Sequence, residues 1–222
     1  MMKTAISWSG GKDSSRALYE LRKTGVSIDR GLTTITTAYD RISMHGVRRE
    51  LLLQQCKAIG VSPYMIEIPT PCTNEIYEEK MTQCINDLKR EGMTQIAFGD
   101  IFLEDLKQYR EDKMNQVGMK SVFPIWKKES DYLANSFIDL GFKTIITCVD
   151  SEQLDPSFCG RLYDEEFLND LPDHVDPCGE NGEFHSFCFD GPIFSHPIQF
   201  EKGEVVCRDE RFYFCDLIPV KK

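Results

Sequence analysis

The sequence lacks a long hydrophobic run, a Cys-x-x-Cys pair and any internal repeat. No apolar stretch approaches the ~20 residues that a membrane-spanning helix needs, and the first residues become polar too soon for a secretory signal peptide. The nine cysteines are irregularly spaced, which argues against a zinc ribbon and against a disulfide framework. We therefore predict a cytoplasmic protein with no membrane partner and with free, mostly buried thiols.

Positive charge is missing from one long segment. The 222-residue chain has a net charge of −10, and residues 162–201 contain ten Asp or Glu but no Lys or Arg. In the rest of the chain, acidic and basic residues are equal in number. An acidic surface repels the phosphates of nucleic acid and attracts cations, which argues against a nucleic-acid partner. The alternative interpretation is an ordinary solvated acidic face.

Strand-like and helix-like patterns alternate over the first 150 residues. The predicted strands are 4–8, 32–39, 63–68, 95–98, 120–123 and 143–149; the predicted helices are 13–23, 47–59, 74–90, 103–116 and 130–140. This alternation predicts an α/β fold with a doubly wound parallel sheet in residues 1–150.

The pattern changes after residue 150. Residues 151–222 predict a small α+β subdomain that ends in a hairpin of strands 198–206 and 211–218. Within it, Phe184 begins a stretch in which phenylalanines alternate with polar residues. Such alternation is typical of a half-buried strand, although aromatic faces beside carboxylates also suit a cationic ligand.

The strongest motif follows the first predicted strand and opens the first predicted helix. It reads Ser9-Gly10-Gly11-Lys12-Asp13-Ser14. Glycines let backbone N–H groups approach an anion, a helix N-terminus adds partial positive charge, and Lys12 adds a full one. The serine hydroxyls can donate to phosphate oxygens, and Asp13 can hold Mg²⁺. The segment predicts a phosphate-binding loop that differs from the Walker A pattern.

This segment resembles the PP-loop of N-type ATP pyrophosphatases. The resemblance implies that ATP binds with its phosphates on residues 9–14 and its adenine against the strand at 32–37, where Thr34 is a candidate contact. It also implies cleavage between the α- and β-phosphates. The AMP group is transferred to a carbonyl or carboxyl oxygen of the substrate. A nitrogen or sulfur nucleophile then displaces AMP.

Two further segments extend the resemblance over essentially the whole chain. They read Phe98-Gly99-Asp100-Ile101-Phe102 and Cys178-Gly179-Glu180-Asn181-Gly182-Glu183-Phe184-His185-Ser186. With the loop, they make the chain similar to the diphthine–ammonia ligase family and its uncharacterised prokaryotic relatives. The resemblance implies an AMP-forming amide ligase that uses ATP, Mg²⁺ and ammonium, with an acyl substrate such as diphthine on translation elongation factor two.

The glycine-rich segment at residues 178–186 is the predicted substrate site. Glu180, Glu183 and His185 are candidates to bind a cationic substrate, to deprotonate ammonium or to hold a metal, and Asn181 and Phe184 are candidate substrate contacts. The alternative is a polar surface turn. Diphthamide-forming members more often read Gly-Glu-Gly-Gly-Glu-Tyr-Glu-Thr here, which leaves another carboxylate substrate open. The histidines at 45 and 174 are isolated and predict structural or exposed roles.

Gly99 and Asp100 follow a predicted strand, at the edge where open α/β sheets bind ligands. Asp100 is, with Asp13, the candidate for Mg²⁺, or it caps the next helix. Arg110 on that helix is a candidate to bind a phosphate or a carboxylate through its planar fork, or it forms a surface ion pair.

Two other functions remain open from the sequence. A tRNA-modifying enzyme with the same loop would need a basic RNA-binding face, which the acidic C-terminal part does not provide. A non-catalytic ATP- or AMP-binding protein would bind nucleotide without releasing pyrophosphate. The sequence also leaves open whether the protein forms a homodimer.

Overall fold

The computed structural model describes residues 3–220. Its strands are β1 Lys3–Ser7, β2 Ile28–Thr36, β3 Arg41–Ile42, β4 Ser62–Ile68, β5 Met93–Ala97, β6 Lys120–Val122, β7 Lys143–Asp150, β8 Phe184–Asp190, β9 Phe200–Arg208 and β10 Phe212–Pro219. Its helices are α1 Lys12–Lys23, α2 Arg49–Ile59, α3 Asn74–Arg90, α4 Glu104–Gln116, α5 Ser130–Asp139 and α6 Glu165–Asp170, with a 3₁₀ turn at Pro156–Phe158. None of the helices in this range has the length and apolar character to cross a bilayer.

Five parallel strands form the first sheet, in the order β4-β2-β1-β5-β6, and β3 pairs antiparallel with the end of β2. The chain moves outward from β1 through β2 and β4, then returns to β5 on the other side of β1. The connections after β1 and β5 therefore leave in opposite directions, which opens a crevice at the carboxyl ends of these strands. The predicted phosphate loop follows β1 and Gly99 follows β5, so both meet at this crevice.

Helices cover both faces of the parallel sheet. Successive residues of β5 point to opposite faces, because side chains alternate along a strand. Ala97 packs in the core that includes Leu18 of α1, whereas Ile96 packs in the core that includes Leu88 of α3. The prediction of a doubly wound, mostly parallel sheet is therefore confirmed.

The second sheet is antiparallel, with the strand order β8-β7-β10-β9. The alternation in the first 150 residues placed the strand at 143–149 in the parallel sheet, and that placement is wrong, since β7 pairs with β8 and β10. Seven of its eight residues are buried. A continuous buried run identifies a strand but does not show which strands lie beside it. The division of the chain near residue 150 stays a prediction.

Two local predictions in the C-terminal part are confirmed. β9 and β10 form a hairpin in which Asp209 and Glu210 have φ of 53° and 54°, the left-handed conformation that a tight hairpin turn requires at both central positions. The segment that begins at Phe184 is strand β8, with Phe184 and Phe187 buried and Phe189 half-buried. β8 is an edge strand of the second sheet, and it packs against α1 of the first.

Candidate active site

The predicted phosphate loop lies between β1 and α1, as the sequence indicated. Gly10 has φ of +78°, a conformation that favours glycine, and Gly11 caps the helix without a side-chain bond. The Gly11 amide donates to Ser9 Oγ at 3.3 Å, and Ser14 Oγ donates to the Gly11 carbonyl at 3.0 Å. The two serine hydroxyls lie 3.3 Å apart. The loop thus collects two hydroxyls and a helix N-terminus at the crevice.

Gln55 on α2 holds this loop in place, and the sequence analysis did not assign it a role. Its Nε2 donates to the carbonyl oxygens of Gly10 at 2.9 Å and Cys188 at 2.6 Å, and its Oε1 accepts from Trp8 Nε1 at 2.8 Å. Gln55 is fully buried. The signal for it was a polar residue on the apolar face of the predicted helix, since such a residue needs buried partners.

Strand β8 of the second sheet lies directly against the loop. The Cys188 amide donates to the Gly10 carbonyl at 2.8 Å, and the Lys12 amide donates to Ser186 Oγ at 3.2 Å. A Cβ atom on Gly11 would lie 3.0 Å from the Ser186 carbonyl oxygen. Glycine at position 11 therefore allows this close approach, and the loop forms one surface with the C-terminal sheet.

The Lys12 side chain is buried and points into the C-terminal part. Its Nζ lies 2.6 Å from Asp13 Oδ1 and also donates to the carbonyl oxygen of Cys178. Burial lowers the pKa of Lys12, but the carboxylates of Asp13 and Glu180 raise it by more, so the net shift is upward. The group is therefore a charged ammonium at neutral pH.

Glu180 joins the glycine-rich turn to the end of β5. Its Oε1 accepts from the Ile101 amide at 2.7 Å, and its own amide donates to Asp176 Oδ2 at 2.9 Å. Burial raises the pKa of Glu180 to about 7, and the charges of Asp13 and Asp100 also raise it. A carboxylate with this pKa can take up a proton near neutral pH.

Glu183 and Asn181 serve the turn itself. Glu183 is buried, and its Oε1 accepts from the Asp176 amide and from Asn181 Nδ2, each at 3.0 Å. Its Oε2 has no hydrogen-bond partner among the described residues. One oxygen thus stabilises the turn, while the predicted catalytic role of Glu183 and the predicted substrate contact of Asn181 stay predictions.

Gly99 and Asp100 approach the loop from the end of β5. A Cβ on Gly99 would lie 3.0 to 3.1 Å from backbone atoms of Asp13 and Ser14, so only glycine fits without movement. Asp100 is buried and pairs with Arg110, with Oδ2 2.7 Å from Nε and Oδ1 3.1 Å from Nη2. The two candidate ligand-binding residues therefore bind each other, through contacts that did not follow from their spacing.

His185 packs against His45, with ring centroids 4.7 Å apart. His45 Nδ1 lies 2.9 Å from the Ser186 carbonyl oxygen. Burial lowers the pKa of His45 to about 4 and that of His185 to about 3, so both rings are neutral at pH 7. His45, expected to be structural or exposed, is half-buried. The turn after β3 carries it to the phosphate loop, where its Cε1 would lie 3.0 Å from a Cβ on Gly11.

Thr34, the predicted adenine contact, lies on β2, the strand next to β1. Thr34 is half-buried on β2, where its carbonyl accepts from the Ser43 amide at 3.0 Å. Its neighbour Thr33 donates to the Trp8 carbonyl at 2.5 Å, which ties β2 to the start of the loop. The contact of Thr34 with adenine stays a prediction.

The donor set at the crevice fits a triphosphate with Mg²⁺. The helix N-terminus, the charged Lys12 and the two serine hydroxyls supply positive charge and donors. Magnesium commonly takes one or two carboxylates together with substrate phosphates, and Asp13 and Asp100 provide two. Over residues 3–220, no three His, Cys, Asp or Glu side chains form a metal site by themselves. The assignment of Mg²⁺ to these carboxylates stays a prediction.

Two family matches cover most of the chain. Residues 2–121 match the diphthamide synthase N-terminal domain, and residues 129–217 match the diphthamide synthase C-terminal domain. The chain belongs to the diphthamide synthase family. The N-terminal match includes the phosphate loop and Asp100, and the C-terminal match includes the turn that carries Glu180 and Glu183.

Curated relatives are distant. Diphthine–ammonia ligase of Homo sapiens is 25% identical over 177 residues, which cover 77% of this chain and 66% of that protein, and the Bos taurus enzyme has the same values. Diphthine–ammonia ligase of Schizosaccharomyces pombe is 27% identical over 100 residues, which cover 43% of this chain and 16% of that protein. The chain thus spans less than two thirds of the length of these relatives.

Two solved structures show a weak similarity to this chain. A predicted subunit of tRNA methyltransferase from Methanocaldococcus jannaschii is 14% identical, with a TM-score of 0.43 over 85% of this chain and 96% of that one. The U34-tRNA thiolase from Methanococcus maripaludis is 17% identical, with a TM-score of 0.40 over 63% of this chain and 57% of that one. At TM-scores below 0.5, neither likeness supports an argument about function.

Proposed function

We propose that this protein is an ATP-dependent, AMP- and pyrophosphate-forming amide ligase that acts on a carboxylate, with diphthine on translation elongation factor two as the first candidate substrate. The observation that carries the proposal is the contact between the two motifs. Lys12 of the phosphate loop binds the Cys178 carbonyl oxygen, and Glu180 of the same turn binds the Ile101 amide at the end of β5. Membership of the diphthamide synthase family supports this chemistry.

In the first half-reaction, a carboxylate oxygen of the acyl substrate attacks the α-phosphorus of ATP and pyrophosphate leaves with the bonding electron pair. The loop residues bind the departing phosphates. Lys12 and the amides at the start of α1 stabilise their increasing negative charge, which preorganised donors do most effectively in a site with little water. Bound Mg²⁺ would neutralise phosphate charge and orient the phosphates.

In the second half-reaction, ammonia attacks the acyl carbon and AMP leaves. Ammonium has no lone pair until it loses a proton, so the step needs a base. Glu180 suits this role because its pKa of about 7 matches the working pH. After the attack, the nitrogen gives up one more proton and the neutral amide remains.

The test is to follow ATP breakdown by the purified protein with magnesium and ammonium, with and without elongation factor two that carries diphthine. We expect AMP and pyrophosphate to form only with the factor. Lys12→Ala should abolish their formation, while Lys23→Ala, at an exposed position on the same helix, should not. Normal product formation by Lys12→Ala would contradict the loop assignment.

The other open functions give different results in the same experiment. AMP formation that depends on tRNA and not on the factor would favour a tRNA-modifying enzyme. ATP binding without pyrophosphate release for any acceptor would favour a non-catalytic nucleotide-binding protein. AMP formation with a different carboxylate would keep the ligase and replace diphthine as its substrate.

A further inference from the structure

The ammonium group of Lys12 lies in a cage of four groups. Two are oxygen acceptors, Asp13 Oδ1 at 2.6 Å and the carbonyl oxygen of Cys178. The other two are aromatic faces, with ring centroids of Tyr163 and Phe184 at 5.8 Å and 5.7 Å from Nζ. Only 4% of the Lys12 side chain is exposed. Anionic or carbonyl oxygens and aromatic faces are the groups that stabilise an ammonium ion away from water.

The walls of the cage are held by contacts that do not involve Lys12. The Tyr163 hydroxyl donates to the Pro177 carbonyl at 2.8 Å, which fixes the orientation of its ring. The rings of Tyr163 and Phe184 both pack on Phe167, at 5.3 Å and 5.4 Å between centroids. Gly179 closes the turn, since a Cβ there would lie 3.0 Å from the Phe184 ring. Three of the four cage groups therefore belong to the C-terminal part and are held in place independently of the lysine, and the fourth is Asp13 of α1.

The proposed function requires a second position for the Lys12 ammonium. To stabilise departing phosphates, Nζ must contact their oxygens, and it cannot do so while it binds the Cys178 carbonyl inside the cage. Lysine has a flexible four-carbon stem that allows such a movement. Beside the cage lies a cavity of about 10 Å³, bordered by Lys12, Asp13, Tyr163 and Cys178. That volume is about the minimum that holds one water-sized molecule.

We propose that this cage is the binding site for the ammonium co-substrate, and that the Lys12 ammonium exchanges with it. The inference rests on the proposed function and deepens it by assigning the nitrogen site. A lysine ammonium and a free ammonium ion carry the same charge and the same kind of N–H donor, so a cage that accepts one suits the other. When phosphates draw Lys12 toward the loop, its ammonium group leaves the cage, and a free ammonium ion can enter. Nucleotide therefore binds before ammonium.

Ammonium binding to the cage can be measured without turnover by thermal unfolding in ammonium chloride. The reference is sodium chloride at equal ionic strength. A ligand that binds only the folded state raises the unfolding midpoint, and the rise grows with the logarithm of the ligand concentration divided by its dissociation constant. Lys12→Ala removes the resident amine, so we expect an ammonium-specific rise in that variant and none in the unsubstituted protein. Adding Phe184→Leu should weaken ammonium binding about thirtyfold, the effect of losing one desolvated cation–π contact.

The matched control is Phe187→Leu in the Lys12→Ala background, because Phe187 is buried on the same strand but lies outside the cage. It should lower the baseline midpoint while keeping the ammonium response. Absence of an ammonium-specific rise in Lys12→Ala overturns the proposal. Equal responses in the Phe184→Leu and Phe187→Leu backgrounds also overturn it, since the aromatic face would then contribute nothing.

A second measurement tests the exchange in the unsubstituted protein. A non-hydrolysable ATP analogue should create an ammonium response there, because its phosphates draw Lys12 out of the cage. No response with bound analogue contradicts the exchange. These readouts need no product, so failure of AMP formation would overturn the ligase assignment and is distinguishable from failure of the cage.

Discussion

The carboxylate of Glu180 accepts a hydrogen bond from the backbone amide of Ile101, with 2.7 Å between the two atoms. This bond joins the turn before β8 to the connection that follows β5, two segments 79 residues apart in the sequence. Burial of the carboxylate raises its pKa to about 7. One side chain therefore ties the two halves of the candidate site together and changes its charge near neutral pH.

Glu180→Gln should keep the amide hydrogen bond and remove the base. The amide oxygen can still accept from Ile101, so the fold should survive. We expect the rate of amide formation to fall by about 10²- to 10⁴-fold, the usual contribution of a positioned base. In the unsubstituted protein this rate should rise as the pH passes about 7. A pH–rate profile of both proteins tests the assignment, and an unchanged profile in the variant would exclude Glu180 as the base.

The same carboxyl should make stability depend on pH. Its pKa in the folded protein, about 7, lies above the ordinary value of 4.5, so the folded state retains a proton that the unfolded chain releases. The stabilisation is full below pH 4.5 and is lost as the pH rises through about 7. Urea unfolding at several pH values should show this decline in the unsubstituted protein and a flatter dependence in Glu180→Gln.

Gln55→Leu should destabilise the protein by about 2–3 kcal/mol, because it leaves the buried Trp8 indole N–H and two carbonyl oxygens without their partner. For a chain of this size, the unfolding midpoint should drop by about 5–10 °C. The control is Gln54→Leu, the adjacent position, where the amide makes one exposed contact with Glu50. Equal losses in both variants would argue against a specific role for Gln55.

Gly99→Ala should disturb the phosphate loop, because the added Cβ would lie 3.0 to 3.1 Å from the backbone of Asp13 and Ser14. Backbone atoms cannot move aside as a flexible side chain can, so α1 and the loop must shift. We expect ATP affinity to fall by about tenfold or more. Gly203→Ala is the control, since its Cβ would meet the mobile end of Ile218 at 3.1 Å. Calorimetric titration with ATP distinguishes the two.

Arg110→Ala should cost about 3–5 kcal/mol of stability, because Asp100 is 7% exposed and would be left as an unpaired buried charge. Asp100→Asn in the same background should recover part of this loss, and a double-mutant cycle measures the coupling. The more exposed pair of Lys113 and Glu78 provides the control, with about 0–1 kcal/mol expected for Lys113→Ala. Additive losses at the first pair would show that its two members act independently.

The sequence by itself determined the local features of this protein. Alternating periods indicated the strands and helices, because side-chain spacing follows backbone geometry over a few residues. The loop at residues 9–14 follows from the backbone conformations that its glycines permit. The cap of α3 at Thr73 was also within reach, since a threonine hydroxyl bonds the amide three residues on.

Only the tertiary structure decided which groups meet. Lys12 binds a carbonyl 166 residues away, and Asp100 pairs with Arg110. His45, which has no neighbour of its kind in the sequence, stacks on His185 at the phosphate loop. Such contacts depend on how two sheets pack against each other, and the spacing of apolar residues along the sequence does not predict that packing. The residue types at the site were therefore readable from the sequence, but their partners and charges were not.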